Sequence, residues 1–178
     1  MRHFIPRQPL LTIYKTLIDP YLNYGLCSWG YSAKTHLCRL LILQKRALRL
    51  INFSNVTKHA VPLFVKARSL PLNFIFFERM CHMMHDIYNK TAPINLNNLF
   101  ILRSELHYYK TRSALNQCFY SEYIKTEQKK YSFFSVGSKI WNGLPVSLKN
   151  LNKRQVKKQI KISYLRYSSD VKLKTNIF

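Results

Sequence analysis

The stretch His36–Ile51, HLCRLLILQKRALRLI, decides the fold of this chain because it predicts a long helix with one apolar and one basic side. Its apolar residues recur at steps of three and four, and neither Pro nor Gly interrupts them. The apolar stripe consists of Leu37, Leu40, Leu41, Ala47, Leu48 and Ile51, with Gln44 as its one polar member. The basic side consists of Arg39, Lys45, Arg46 and Arg49. Such a helix packs by one face and presents cations from the other, although an ordinary core helix with a solvated basic side has the same pattern.

The same periodicity predicts further helices on both sides of this stretch. One begins at Leu10 and is interrupted near Pro20, which cannot donate a backbone hydrogen bond. Others are predicted at 21–29, 61–68, 72–88, 136–142 and 152–167, with a further turn within 94–102. Ser32 or Thr35 is available to cap the helix quoted above. Tyr131–Phe134 predicts a short strand, and loops with a small hairpin are expected at 104–130.

These elements predict a mainly α fold, a helical bundle with a small irregular or β element in the C-terminal third and a basic terminal helix. We divide the chain into a helical region at 1–102, a loop-rich region at 103–148, and a basic helix and tail at 149–178. The loop-rich region ends in WNGLP, where Trp141 is expected in the core and Gly143 and Pro145 stop a helix.

The charge balance indicates a polyanionic partner. Lys and Arg total 29 against 7 Asp and Glu, a net charge of +22 over 178 residues. Nucleic acid is the default partner for such a chain, and an anionic membrane is the rival. No apolar run approaches the ~20 residues that span a bilayer, and the N-terminus lacks a signal-peptide core. The four cysteines form no CxxC pair, so we expect reduced thiols in an intracellular protein, nuclear or cytoplasmic.

Several enzyme classes do not fit the sequence. Gly25 and Gly30 mimic the spacing of a phosphate loop, but Tyr31 stands where the lysine is needed. There is no GxSxG elbow. Two-metal catalysis needs clustered carboxylates, whereas the closest acidic residues in sequence are Glu122 and Glu127, in a lysine-rich loop. We therefore expect no enzyme activity and no cofactor.

The best metal candidate is Cys81-His82-x-x-His85, where Cys81 and His85 lie one helical turn apart. A closed zinc site needs two more ligands, and no second pair has suitable spacing. The alternative is a core helix with a hydrogen-bonded histidine, so we predict no metal site.

Cations interleaved with aromatic residues are the remaining chemistry. Lys153, Lys157 and Lys161 recur every four residues and predict a positive ridge, with Arg154 and Lys158 beside it. A ridge of this kind suits a phosphate backbone, because that contact needs charge but no base-specific geometry. Lys45, Arg46 and Arg49 of the first helix quoted are predicted to make phosphate contacts as well. The alternative is a solvated basic tail.

The segment around Tyr108 and Tyr109 is a second candidate. The two tyrosines can stack on unpaired bases while Arg112 pairs with a phosphate. A buried Arg112 that ties loops together by hydrogen bonds is the equal alternative.

The order of the motifs resembles the C-terminal region of a non-LTR retrotransposon reverse transcriptase of the jockey-like kind. The resemblance covers about residues 10–165. The matching pieces are IYKTLIDPYLNYGLCSWG at Ile13–Gly30, LILQKRALRLI at Leu41–Ile51, PLF at Pro62–Phe64, SLPL at Ser69–Leu72, TAP at Thr91–Pro93, HYYKTRSA at His107–Ala114, SFFSVGSKIWNGLP at Ser132–Pro145 and the lysine-rich helix that follows.

The resemblance implies a thumb and post-thumb region, with residues 1–102 thumb-like. In that family the catalytic aspartates belong to the upstream palm, so the chain resembles a truncated polymerase that makes no DNA alone. Its expected partners are RNA or DNA, through phosphate contacts, and the missing palm and fingers. A cellular RNA-binding assembly factor and a decayed transposon-derived reading frame without selected function remain the alternatives.

Overall fold

The structure, a computed structural model, describes residues 5–106 and 108–170, with side chains as far as residue 164. His107 and the tail at 171–178 lie outside the described residues. The helices up to residue 88 are α1 (Arg7–Ile13), a π-helical turn (Tyr14–Ile18), α2 (Asp19–Asn23), α3 (Leu26–Trp29), α4 (Lys34–Ile51), α5 (Val61–Ala67) and α6 (Leu72–Tyr88). The later helices are α7 (Ile94–Asn97), α8 (Arg103–Leu106), α9 (Arg112–Leu115), α10 (Glu127–Lys130), α11 (Phe133–Asn142), α12 (Val146–Lys149) and α13 (Lys153–Asp170).

The described residues form two compact units. The first takes those within 1–26, 33–75 and 159–178, and the second those within 27–32 and 76–158. Both α6 and α13 contribute residues to each unit. The mainly helical class predicted from the sequence is confirmed. No helix in the described part of the chain has both the length and the apolar character needed to cross a bilayer.

The helical path at the start of the first unit changes register just before Pro20, as the sequence predicted. The backbone N–H of Asp19 bonds to the carbonyl of Tyr14, five residues back, so one turn is π-helical. Pro20 has no N–H to offer the preceding turn, which explains why the α-helical ladder is broken here.

Helix α4 packs into the first unit by the stripe that its sequence predicted. Leu48 and Ile51 are buried with Tyr14, Phe64 and Tyr164, and the other apolar members of the stripe are half-buried. The helix begins at Lys34, and its N-cap residue Ala33 supplies no side-chain hydrogen bond. The prediction of a Ser32 or Thr35 cap was therefore wrong, because the N-cap position falls on Ala33, one residue after Ser32 and two before Thr35.

Gln44, the polar member of the stripe, is 2 % exposed and fully engaged. Its Nε2 donates to the Tyr14 hydroxyl at 3.1 Å and to the Leu70 carbonyl at 3.0 Å. Its Oε1 accepts the backbone N–H of Leu72 at 3.0 Å, which satisfies one of the free donors at the start of α6. A neutral side chain thus joins three segments of the first unit.

The second unit is built around Trp141, which is 1 % exposed and packs with Met84, Ile87, Phe100 and Phe119. Its indole N–H donates to the Gln117 carbonyl at 2.9 Å. The predicted core position of Trp141 is confirmed, and Gly143 is the C-cap of α11, with Pro145 beyond it.

Two further residues of α11 hold the same core together. The side chain of Asn142 accepts the Phe119 N–H at 2.8 Å and donates to the Phe119 carbonyl at 2.9 Å. Gly137 lies so close to α6 that an added Cβ would stand 2.8 Å from the Met84 sulfur. A glycine here therefore lets α11 approach α6 closely.

The predicted β element is absent from the described residues, which contain one isolated antiparallel bridge, between Leu102 and Phe119, and no strand. The strand prediction at Tyr131–Phe134 was wrong, because Ser132 starts a helix there instead. Its hydroxyl accepts the Ser135 N–H at 3.4 Å as an N-cap. The loops expected at 104–130 contain the short helices α8, α9 and α10.

Candidate nucleic-acid interface

The cations predicted on α4 form what we call the α4 basic face, consisting of Arg39, Lys45, Arg46 and Arg49. Arg39 and Arg46 are exposed, and Lys45 and Arg49 are half-buried. Arg49 donates through Nε to the Lys58 carbonyl at 3.1 Å, which fixes its side chain against the following loop. None of the four forms an ion pair with a described carboxylate. Their charge therefore faces solvent without an acidic partner.

The cations predicted at the start of α13 form the α13 basic segment, consisting of Lys153, Arg154, Lys157 and Lys158. All four are exposed, but two of them have acidic partners on α6. Lys153 Nζ lies 2.6 Å from a carboxylate oxygen of Asp86, and Lys157 Nζ lies 3.5 Å from one of Glu78. The structure therefore adds one feature to the predicted ridge: carboxylates of the same chain neutralise the charges of Lys153 and Lys157.

Glu78 is the more consequential of the two acids because its side chain is only 7 % exposed. His82, one turn further along α6, lies in the same surroundings, and its Nε2 is buried without a hydrogen-bond partner among the described residues. Burial lowers the pKa of His82, and Lys153 and Lys157 lower it further, whereas Glu78 acts in the opposite direction. A neutral imidazole therefore fits this place best.

The sequence interpretation did not find the roles of Glu78 and Asp86. The sequence did contain an indication of these roles. Glu78 and Asp86 are two of only three acidic residues before Glu105, and they lie about two turns apart on a predicted helix. What the sequence could not supply was their partner, since Lys153 and Asp86 are 67 positions apart in the chain.

Two further cations are Lys161, the third lysine of the predicted ridge, and Lys149, which precedes α13. Lys161 is exposed, one turn beyond the α13 basic segment, in the first unit. Lys149, just before α13, is 2 % exposed and donates to the Asn116 carbonyl at 2.7 Å. Its ammonium also lies 5.6 Å from the centre of the Trp141 ring, and burial lowers its pKa. Lys149 is therefore a structural residue with no access to a ligand.

Tyr108 and Tyr109 form an exposed pair between α8 and α9, with relative exposures of 106 % and 81 %. Arg112 is also exposed, so the alternative of a buried arginine tying loops together does not describe it. Arg103 has that role instead: its guanidinium donates to the Ser113 hydroxyl at 3.4 Å, and its N–H to the Cys118 carbonyl at 3.0 Å.

The tyrosine pair lines an open cavity of about 570 Å³ in the second unit. Its other walls include Glu105, Leu106, Lys110 and Leu115. The walls are positioned by the Thr111 hydroxyl, which accepts the Ala114 N–H at 3.3 Å and so fixes the start of α9. The cavity therefore combines aromatic surface with one carboxylate and one ammonium.

The Cys81–His85 pair belongs to the core of the second unit. Cys81 is 1 % exposed, and burial raises the pKa of its thiol to about 12. The His85 Nε2 lies 2.8 Å from the Leu151 carbonyl, and its Nδ1 2.9 Å from the Asn89 amide. The described residues contain no group of three or more potential ligands that could hold a metal ion. The four cysteines are free.

Comparisons of the chain with protein-family models, with curated protein sequences and with solved structures gave no match.

Proposed function

We propose that this chain binds nucleic acid through its phosphate backbone, as a C-terminal part of a non-LTR retrotransposon reverse transcriptase that is not a polymerase alone. The observation that carries the proposal is the α4 basic face, whose four cations have no acidic partner among the described residues. Arginine and lysine side chains that a helix presents without an acidic partner are typical phosphate ligands.

The distribution of acidic residues supports the same proposal. Five of the seven lie within 76–158, and four of these five form ion pairs there. The sequence within 1–26, 33–75 and 159–178 contains two acidic residues, Asp19 and Asp170, against 15 Lys and Arg. A chain with this imbalance repels itself unless counterions or a polyanion neutralise it, and release of those counterions favours binding to nucleic acid.

Arg154, Lys158 and Arg112 are exposed cations of the second unit that can add further phosphate contacts. Tyr108 and Tyr109 supply stacking surfaces for unpaired bases. An intracellular location, nuclear or cytoplasmic, agrees with the free cysteines. The palm and fingers of the parent polymerase are the proposed protein partner.

The experiment is the salt dependence of binding to a structured RNA, a single strand and a DNA duplex. About six phosphate contacts predict a slope near −5 for log K against log salt on the duplex. A steep slope shared by all three ligands supports binding to the backbone. No binding at low salt contradicts the proposal and leaves the decayed reading frame as the account of the sequence.

A further inference from the structure

Glu105 places a negative charge on a surface that we propose to bind phosphates. The second unit has five acidic residues, and Glu78, Asp86, Glu122 and Glu127 each pair with a lysine. Glu105 forms no ion pair within the described part of the chain, although the net charge is +22. Its carboxylate repels a phosphate, so any ligand that contacts Glu105 has to offer hydrogen-bond donors.

The surroundings of Glu105 define the shape of that ligand. Glu105 lines the cavity together with Tyr108 and Tyr109, which are almost wholly exposed, and with the exposed Leu115. Flat aromatic and apolar walls suit a flat aromatic ligand. Since Glu105 Oε2 accepts the Leu102 N–H at 3.4 Å, the side chain is oriented, and Oε1 has no partner among the described residues.

We infer that this cavity binds an unpaired guanine base, with Glu105 accepting from its Watson–Crick edge; this inference rests on the proposed function. Guanine is the one standard base with two adjacent donors on that edge, N1–H and the 2-amino group, which match the two oxygens of a carboxylate. Adenine and cytosine each place an acceptor nitrogen beside their amino group, and uracil flanks its N3–H with two carbonyl oxygens.

Lys110 completes the match. It lines the same cavity, and its ammonium is a donor for the guanine O6, which adjoins N1–H, or for the phosphate of the same nucleotide. The cavity thus offers an acceptor and a donor in the combination that guanine requires. Glu105 is accordingly a specificity-determining residue, whereas Arg112 and the other cations contribute affinity without regard to sequence.

The test uses the full chain and three single-stranded RNA nonamers of uridylate with a central guanosine, inosine or adenosine, measured by fluorescence anisotropy. We expect the guanosine nonamer to bind about tenfold more tightly than the adenosine nonamer, as one bidentate contact predicts. Inosine, which lacks the 2-amino group, is expected to fall between them.

Glu105→Gln is expected to abolish most of this tenfold preference. Glu127→Gln is the matched control, because it changes the net charge equally at another exposed glutamate and is expected to keep the preference. Equal binding of guanosine and adenosine nonamers, or a preference that survives Glu105→Gln, overturns the inference while the proposed function stands. Absence of salt-dependent binding to every nonamer overturns the proposed function and the inference with it.

Discussion

The α4 basic face and the α13 basic segment each consist of four cations, yet the two sets of charges have different partners. The α13 basic segment is joined to α6 by Lys153–Asp86 and Lys157–Glu78. The α4 basic face has no such carboxylates within the described part of the chain, and the neutral side chain of Gln44 hydrogen-bonds α4 to its unit. The sequence of a basic helix shows how many cations it has. The positions of a few acidic residues in the folded chain determine how many of those cations are available to a ligand.

The largest effect that the comparison predicts concerns Gln44. Gln44→Leu should lower the free energy of unfolding by about 3 kcal/mol, because it leaves the Tyr14 hydroxyl, the Leu70 carbonyl and the Leu72 N–H without their partner. Urea unfolding followed by circular dichroism measures it.

Leu43→Gln, at a position 57 % exposed on the same helix, is the control and should change stability by less than about 0.5 kcal/mol. Equal effects of the two substitutions would mean that the hydrogen bonds of Gln44 do not hold α4 in place.

A smaller effect is expected at Lys157. Lys157→Gln should lower the free energy of unfolding by about 1 kcal/mol, because it leaves the nearly buried Glu78 carboxylate without a cation, while the half-exposed lysine limits the loss. Lys158→Gln removes the same charge one residue away, at a lysine with no ion pair to a described carboxylate, and should be nearly neutral.

Glu78→Gln in the Lys157→Gln background provides a double-mutant cycle. Recovery of stability in the double variant would show that the uncompensated carboxylate causes the loss. If Lys157→Gln and Lys158→Gln change the free energy of unfolding equally, the ion pair of Lys157 does not stabilise the fold. The two basic helices would then not differ in the way described above.

The smallest predicted effect is a pH dependence from His82. Because burial lowers its pKa in the folded chain, the unfolded chain binds more protons between that value and about 6.5. The contribution of neutral His82 is therefore complete above about pH 6.5 and is lost as the pH falls through the folded pKa. As the pH is lowered from 8 to 5, the free energy of unfolding of the unsubstituted chain should fall relative to that of His82→Gln. A difference that stays constant with pH would contradict this.

Much of the fold could be predicted from the sequence because its signals are local. The bounds of α6 were predicted to the residue, and α4 and α5 came within two residues at each end, since apolar periodicity and Pro62 mark them. The strand predicted at Tyr131–Phe134 was wrong because aromatic residues occur in strands and in helices, and here the Ser132 N-cap favours the helix.

The candidate site was less predictable because its decisive contacts are distant in sequence. Exposure of Tyr108 and Tyr109 agrees with the role given to them, but the burial of Lys149 beneath Trp141 could not be seen in a run of lysines. The pairing of Lys153 with Asp86 likewise needs two helices to pack, which no local pattern encodes. The sequence therefore indicated which residues carry charge, and packing determined which of them are available.

The most direct test of the account compares two charge-matched double variants in salt titrations of duplex DNA binding. Arg39→Gln with Arg46→Gln removes two cations that have no acidic partner among the residues that the structure describes, and should make the log–log slope less steep by about 2. Lys153→Gln with Lys157→Gln removes two cations already paired with carboxylates, and should change the slope by less than half as much. Equal changes, or a larger one for the lysine variant, would contradict the claim that α4 carries the phosphate contacts.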